Sequence, residues 1–196
     1  MNKEKIEDLV KQIIEEGLGL DIYNPNLLRT PERIARMFCE EFFFSVGEEP
    51  SSKELAVFPN EGFDEIIMFD NIPFTSTCIH HFLPFSGLAW FLYIPDKHLI
   101  GASKPTRIIE FFSKMPQLQE RLSVEVMEFF LEGVKPKGAM LVMRAIHSCM
   151  SCRGVKTGLG SGMITSVTSG AFRENIDTRQ EGLDLVRLSV MLKGLV

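Results

Sequence analysis

The strongest constraint on the fold is a run of seven apolar residues, Leu88–Ile94, with no polar position inside it. Its length suits one β-strand, and a strand that is apolar at every position is typical of a sheet covered on both faces. Ranges 65–69, 139–149 and 163–172 also have strand-like sequences. The chain is therefore predicted to fold around a sheet covered by helices on one side and by another layer or subunit on the other.

Apolar residues at helical spacing, together with prolines and capping residues, predict five helices. These cover 3–16, a stretch that starts at Thr30, 105–114, 116–133 and 178–192. The order of strands, two helices and further strands predicts an α+β fold. The largely polar segment 47–62 contains two prolines and is the predicted boundary between an N-terminal helical extension (1–62) and the main domain (63–196).

Charge and composition narrow the functional classes. The formal net charge is -5 and the sequence pI is near 5.5, which argues against nucleic-acid binding through a generally basic surface. No apolar run is long enough to cross a bilayer, and the first residues lack the apolar stretch of a signal peptide. We therefore expect a cytoplasmic protein without nucleic-acid or membrane partners, whose cysteines are thiols or metal ligands.

Cysteine and histidine concentrate in two short segments, Cys78–His81 (CIHH) and His147–Cys152 (HSCMSC). The first and last residues of the first segment are three apart and converge if they lie on a turn. His147 and Cys149 are two apart and share one face if they end a strand. One turn and one strand end are thus expected to bring thiolate and imidazole groups together, which is a zinc-type ligand set.

Spacing alone leaves two interpretations of these segments open. In the first, a tetrahedral structural site is closed by four protein ligands, Cys78, His81, Cys149 and Cys152. In the second, three of them bind the metal and one position is left for water, as in catalytic sites. His80 and His147 favour the second interpretation. A structural site needs neither of them, whereas both stand beside ligands, where a general acid or base would act.

A phosphate-binding helix start is predicted at Gly101–Arg107. Backbone N–H groups and the helix dipole favour an anion there, and three side chains add to this: Ser103, Lys104 and Arg107. Arg153 follows the second cysteine segment and adds another cation, while Gln119 and Glu120 offer an amide and a carboxylate to a ligand. Taken alone, each of these patterns also occurs at ordinary helix starts or on solvent-exposed helix faces that bind no ligand.

In order and interval these segments resemble the GTP cyclohydrolase I family. The resemblance runs from about residue 30 to the C-terminus, and a match at so many spaced motifs is not expected by chance. The motifs that carry it are Thr30–Met37 (TPERIARM), Cys78–Phe85 (CIHHFLPF), Tyr93–Pro95 with Ile100–Lys104 and Arg107, Pro116–Leu122 (PQLQERL), His147–Cys149 with Arg153–Gly154, and Thr178–Glu181 (TRQE).

The resemblance implies a tunnelling fold, in which an antiparallel sheet with two helices on one face joins the sheets of other subunits into a barrel, within a homodecamer. It implies Zn²⁺ as cofactor and GTP and water as substrates. The implied metal ligands are Cys78, His81 and Cys149, and the implied catalytic residues are His80 and His147. The implied substrate contacts are Ser103, Lys104, Arg107 and Arg153 for the triphosphate, with Arg33 and Arg36, and Gln119 and Glu120 for guanine.

The implied activity is hydrolytic opening of the imidazole ring of GTP, release of formate and rearrangement to 7,8-dihydroneopterin triphosphate, the first step of folate and pterin biosynthesis. Two positions depart from the family pattern. Ile79 stands where Glu is usual, which removes a carboxylate beside the histidines, and Gly182 stands where a large aromatic is usual, which is expected to loosen the last helix. The alternatives are another tunnelling-fold purine or pterin enzyme, and a structural Cys₃His zinc protein without catalysis.

Overall fold

The computed structural model describes residues 1–51, 55–158 and 160–192. Within it the chain forms two compact units, Met1–Glu49 and Pro50–Val196. This division lies within the segment 47–62 that the sequence indicated as the boundary, nearer to its start than to its end. The physical reason is that part of the predicted linker, Val57–Pro59, pairs as an antiparallel strand with His98–Ile100 of the main unit.

The first unit is a pair of helices with short π-helical continuations. Helix α1 (Lys3–Gln12) continues into a π-helical turn at 13–17, and α2 (Thr30–Met37) continues into another at 38–42. The Asn2 side chain accepts a hydrogen bond from the backbone N–H of Lys5 and so caps α1. Helix α2 begins at Thr30, as predicted, and Arg29 precedes it without a side-chain cap.

The second unit alternates strands and helices. Its strands are β1 (Val57–Pro59), β2 (Ile67–Cys78), β3 (Pro84–Ile94), β4 (His98–Ile100), β5 (Pro116–Gln117), β6 (Gly138–His147) and β7 (Met163–Gly170). Its helices are α3 (Lys104–Ser113), α4 (Gln119–Val134), α5 (Ser148–Ser151), α6 (Ala171–Glu174) and α7 (Ile176–Leu192). None of the helices in the described residues has both the length and the apolar character needed to span a membrane.

The main sheet has five strands in the order β5-β2-β3-β6-β7, and all neighbours are antiparallel except β2 and β5. The mixed α+β class is therefore as predicted. The helix predicted to begin at Pro116 begins at Gln119 instead, because Pro116 and Gln117 pair in parallel with the last two residues of β2. This short pairing holds the start of α4 beside the end of β2.

Both faces of the sheet are covered, as the apolar run predicted, and within this chain helices cover each of them. Alternate residues of β3, such as Ala89 and Phe91, enter a core with α3 and α4 on one face. The intervening residues Trp90 and Leu92 enter a second core with α6 and α7 on the other face. Phe91 and Leu92 are both fully buried. Because successive strand side chains point to opposite faces, only a run without polar residues could fill both cores.

A small polar network attaches α7 to the sheet. Ser189 donates a hydrogen bond from Oγ to Asp70 Oδ2 at 2.7 Å and accepts one from Trp90 Nε1 at 3.2 Å. Asn71 donates from Nδ2 to both Asp70 Oδ2 and Ser189 Oγ. The strand register shifts between Phe69 and Ile72, and Asn71 has a φ of 50° there. The bulge thus turns two polar side chains towards α7, where Asn71 Nδ2 and Asp70 Oδ2 both find partners. Asn71 Oδ1 is buried without a hydrogen-bond partner among the described residues.

Gly182 does not loosen the last helix. It is buried, and a Cβ at this position would lie 2.8 Å from Phe172 Cε1 and 3.4 Å from Met140 Sδ. Phe172 is itself fully buried. The aromatic ring of Phe172 therefore occupies the space beside this turn of α7, and the expectation of loose packing is wrong.

We expect Gly182→Phe to lower the free energy of unfolding by about 1–3 kcal/mol, because the added ring competes with Phe172 for one space. Glu181→Phe, at the exposed neighbouring position of α7, is the matched control and should change stability by less than about 0.5 kcal/mol. Urea unfolding followed by circular dichroism measures both. A Gly182→Phe chain as stable as the parent would contradict the packing described here.

Candidate metal centre and active site

The hairpin between β2 and β3 forms the turn that was predicted for the first Cys/His segment. The backbone N–H of Cys78 donates to Leu83 O at 2.9 Å, and the N–H groups of His81 and Phe82 both donate to Cys78 O. Phe82 adopts a left-handed conformation with φ 53°. These bonds fold the chain back on itself, so that the side chains of Cys78 and His81 converge on one point. The prediction of a turn geometry is confirmed.

The second segment differs from its prediction. Strand β6 ends at His147, and Cys149 lies in the single helical turn α5 rather than on the strand. His147 and Cys149 therefore do not share a strand face. The backbone N–H of Cys152 donates to Ser148 O at 3.0 Å and closes this turn. The change of direction at His147 lets Cys149 reach the thiol of Cys78, at 3.9 Å between the two Sγ atoms.

The geometry of Cys78, His81 and Cys149 fits a tetrahedral zinc ion. Their ligand atoms all lie within 4.8 Å of one another. The two sulfur atoms are 3.9 Å apart, and Cys78 Sγ is 4.0 Å from His81 Nδ1. Two sulfurs each bound at about 2.3 Å to a tetrahedral ion would lie about 3.8 Å apart. Sulfur and imidazole are also donors that zinc prefers, so the residues present fit the metal that the resemblance implied.

Cys152 stands outside this group. It is exposed, and its thiol donates a hydrogen bond to Ser148 O at 2.8 Å within its own helical turn. The described residues thus bring three side chains together as ligands, not four. This arrangement supports the interpretation with an open coordination position over the closed Cys₃His site.

The electrostatics of the two thiols favour a bound cation. Burial raises the pKa of the Cys149 thiol above its ordinary value, and the hydrogen bond and charge of Cys78 raise it further. The positive charge of Arg153 acts in the opposite direction. Two adjacent thiolates repel each other in a partly buried site, whereas a divalent ion binds both and stabilises their deprotonated form.

His147 is held beside the cluster by two neighbours. Its ring stacks on that of Phe85 with a centroid distance of 4.5 Å and an interplanar angle of 2°. Its Nε2 lies 2.9 Å from Gln119 Oε1. Burial lowers the pKa of the His147 imidazole, while the negative charge of Glu120 opposes that shift. No local sequence pattern singles out Phe85, because its place at the site depends on the register that sets it opposite His147.

His80, the other predicted catalytic histidine, is exposed next to the cluster. Its Nδ1 lies 3.9 Å from Cys78 Sγ, and its ring centroid is 6.2 Å from that of His81. The structure therefore brings both predicted catalytic histidines to the same end of the sheet as the three ligands. Their roles in catalysis stay predictions.

The predicted guanine contacts differ in exposure. Glu120 is exposed at the start of α4, near enough to His147 for its charge to affect the pKa of that ring. Gln119 is 1% exposed, and its amide forms hydrogen bonds inside the chain. Glu120 is thus available to a ligand beside His147. A contact between the Gln119 amide and guanine stays a prediction.

The predicted triphosphate contacts do not all gather at the cluster. Arg153 is exposed and affects the pKa of Cys149. Three of them lie at the start of α3: Ser103, Lys104 and Arg107. The other end of α3 leads to β5, which pairs with β2 at Cys78. A helix of ten residues is roughly 15 Å long, so the length of α3 separates its first turn from the end that leads to the cluster. Two further predicted contacts, Arg33 and Arg36, belong to the first unit.

Two cavities bear on the position of the site. One of about 140 Å³ lies beside His147 and is lined also by Met150, Thr157, Ser161, Gly162 and Met163. Another of about 440 Å³ lies between β2, β3 and α3, with Glu110 and Lys114 in its lining. The second is larger but contains none of the Cys/His residues. We therefore place the candidate site beside the smaller cavity, which His147 lines.

Comparison with known proteins gives matches along nearly the whole chain. The family model described as GTP cyclohydrolase I matches residues 6–187. The GTP cyclohydrolase 1 of Clostridioides difficile (strain 630) is 39% identical over 189 residues, covering 96% of this chain and 98% of that protein. The protein of the same name from Finegoldia magna is 41% identical over 191 residues, which cover 96% of this chain and 100% of that protein. The one from Acetivibrio thermocellus is 40% identical over 187 residues, which cover 95% of this chain and 98% of that protein.

Among solved structures, the crystal structure of the archaeosine synthase QueF-Like in the apo form matches with a TM-score of 0.45 and 15% sequence identity. The match covers 54% of this chain and 94% of that one.

Cys149→Ser and Cys152→Ser form a matched pair for the metal centre. We expect Cys149→Ser to weaken zinc binding by more than about 100-fold, because it removes one of three ligands, and Cys152→Ser to leave it unchanged. Competition with a chromophoric chelator measures both affinities. Equal losses in the two variants would mean that Cys152 is a fourth ligand.

Proposed function

Because the chain belongs to the GTP cyclohydrolase I family, we propose that it is a hydrolase that opens the imidazole ring of GTP at the centre formed by Cys78, His81 and Cys149. The activity rests on relatives named GTP cyclohydrolase 1 that align over nearly the whole chain. The product is 7,8-dihydroneopterin triphosphate, with formate released, at the entry to folate and pterin biosynthesis.

One observation of this structure carries the assignment of the site. Three side chains converge as metal ligands, and His147 is held beside them without being a member of the group. A purely structural metal site does not need such a neighbour. A hydrolytic site does, because a purine is a poor electrophile and its ring nitrogen must gain a proton as water attacks.

Zn²⁺ is the proposed cofactor, held by Cys78, His81 and Cys149. When bound, zinc would supply Lewis-acid chemistry and lower the pKa of water. The three residues would hold it through two sulfurs and one imidazole, a ligand number typical of catalytic rather than structural zinc sites. Cys152 is exposed, its thiol donates to Ser148 O, and it would not be a fourth ligand.

The two histidines are the proposed proton carriers. His147, half-buried against Phe85, is positioned to give a proton to the ring nitrogen next to carbon 8. His80 is exposed beside Cys78 and can exchange protons with solvent during the second hydrolytic step. Position 79, between Cys78 and His80, is Ile and carries no charge. The two histidines therefore act without a carboxylate at that position.

Charge complementarity supports the proposed contacts with GTP. The carboxylate of Glu120 can accept hydrogen bonds from the N–H groups of guanine, and Gln119 is the second predicted guanine contact. The triphosphate contacts are proposed at the start of α3 and after α5, on Ser103, Lys104, Arg107 and Arg153, with Arg33 and Arg36. The helix dipole and guanidinium groups suit a polyanion.

A homodecamer with sheets joined into a barrel, the tunnelling fold, is the proposed assembly. In the described residues β7 pairs with β6 alone and leaves its outer edge open, and an open edge is suited to pairing with another chain. The 140 Å³ cavity at His147 is smaller than the roughly 300 Å³ expected of a ligand site. Together with the length of α3, this supports a site to which a neighbouring subunit contributes the start of its own α3.

Exposed apolar side chains on the second unit support the same assembly. They lie on β7 and near the end of α7: Ile164, Leu188, Val190, Met191 and Leu192. Apolar patches of this kind are typical of surfaces that other subunits cover. We propose a cytoplasmic enzyme whose partners are GTP, water and copies of itself, because the net charge of -5 suits no general contact with nucleic acid.

His147→Ala should keep bound zinc and lower the rate of formate release from GTP by about 100- to 10,000-fold, because the general acid is lost. His98→Ala, an exposed histidine on β4 outside the site, is the matched control and should retain full activity. Formate and the fluorescence of the oxidised pterin product are measured with and without a chelator. Normal turnover by His147→Ala would contradict the proposed role, and turnover unaffected by chelation would contradict the metal.

A subunit-mixing experiment tests the shared site. His147→Ala and Arg107→Ala chains should each be inactive at low GTP concentration. If the two residues act in one site from different subunits, random co-assembly in equal amounts should restore about a quarter of the sites. Formate release after joint refolding or co-expression measures the recovery. No recovery in an assembled mixture would mean that both residues serve the site from the same chain.

A further inference from the structure

The orientation of the Gln119 amide is determined by its surroundings. Its Nε2 lies 3.2 Å from each of two backbone carbonyl oxygens, those of Met143 and Met163. Carbonyl oxygens only accept hydrogen bonds, so the nitrogen end of the amide must face them. The oxygen end, Oε1, therefore faces His147 Nε2 at 2.9 Å. A rotation of the amide by 180° would set its oxygen against both carbonyls and its N–H groups against the ring.

This orientation specifies the state of the His147 ring. Gln119 Oε1 can only accept, so the ring nitrogen opposite it must carry a hydrogen and donate it. The Nε2–H bond is thus occupied by the protein itself. Proton exchange with a ligand is left to Nδ1, the other ring nitrogen.

Gln119 is itself firmly held. It is 1% exposed at the first position of α4. Its Nε2 also lies 3.2 Å from Thr165 Oγ1, which is 2.8 Å from Ser123 Oγ, and Ser123 donates to Gln119 O at 2.8 Å. The contacts come from β6, β7 and α4 together. A side chain with this many partners has little freedom to move when a ligand enters.

Phe85 restricts the remaining freedom of the ring. It is fully buried, and its ring lies parallel to that of His147 at 4.5 Å between centroids. The two residues are direct cross-strand partners on β3 and β6. Stacking limits tilt of the imidazole, while the hydrogen bond to Gln119 limits its rotation in the plane.

We infer that Gln119 and Phe85 are positioning residues for the reaction: together they hold His147 in the Nε2–H tautomer, with Nδ1 as the nitrogen that transfers the proton. This inference rests on the proposed function in assigning the proton transfer to His147. It gives the amide of Gln119 a role that acts through His147, in addition to the guanine contact proposed above.

Gln119→Leu and Gln119→Glu separate this role from a merely structural one. Both variants lose the N–H groups that bond the carbonyls of Met143 and Met163, but only Glu keeps an oxygen opposite His147 Nε2. We expect Gln119→Leu to lower kcat by about 10- to 100-fold with little change in KM for GTP. Gln119→Glu should recover part of that loss, because it restores an acceptor for Nε2–H but sets its second oxygen against the two carbonyl oxygens. Thr165→Val, which touches the amide but not the ring, should stay within about threefold of the parent.

Solid-state ¹⁵N NMR of the zinc-loaded, histidine-labelled enzyme reads the tautomer directly, with the His147 signals identified by their loss in His147→Ala. The parent and Gln119→Glu should show a protonated Nε2, and Gln119→Leu a mixture of the two tautomers. Phe85→Leu provides a second variant, expected to broaden the same signals. Zinc content and circular dichroism establish that each variant is folded.

Each outcome decides the inference. Equal losses of kcat in Gln119→Leu and Gln119→Glu would overturn it, because the carbonyl bonds would then matter and the bond to His147 would not. A rise in KM for GTP with unchanged kcat and unchanged ¹⁵N signals would also overturn it, and would make Gln119 a contact of the base. If the parent enzyme released no formate while the ¹⁵N difference appeared, the proposed function would fail and the hold on His147 would stand.

Discussion

The register between β3 and its two neighbours is the constraint on which the whole site depends. β3 starts directly after the turn that carries Cys78 and His81, and its second residue, Phe85, pairs with His147 at the end of β6. This pairing brings two segments that are far apart in sequence to one end of the sheet. A shift of one residue would turn Phe85 away from the core and His147 away from the metal ligands.

The core on both faces of the sheet enforces that register. The residues of β3 alternate between the core with α3 and α4 and the core with α6 and α7. A strand shifted by one residue would still be apolar, but each side chain would move to the opposite core, into a space shaped for a side chain of different size. On the second face, Ser189 bonds to Trp90 and to the bulge at Asp70, and this also specifies one alignment of α7. The site is therefore built on the rigid part of the molecule.

Sequence patterns predicted the elements better than the exact ends of those elements. The apolar run of β3 and the helical stripes of α3 and α7 depend on local periodicity, which is visible in one sequence. The start of α4 was misplaced because the pairing of Pro116 with β2 is a long-range contact. In the site, the group of Cys78, His81 and Cys149 matched the spacing and the resemblance, whereas Cys149 proved to lie on a helical turn rather than on the strand.

The amino-acid sequence alone specifies which chemical groups are present: thiol and imidazole ligands in two segments, further histidines beside them, and cations at a helix start. These are properties of residue types and short spacings, and folding does not change them. Which of these groups come into contact depends on the fold. In the folded chain Cys152 lies outside the ligand group, the ring of Phe85 stacks on that of His147, and the Gln119 amide oxygen faces the same ring. Such contacts join residues distant in sequence, and their geometry follows from strand register and packing rather than from any local pattern.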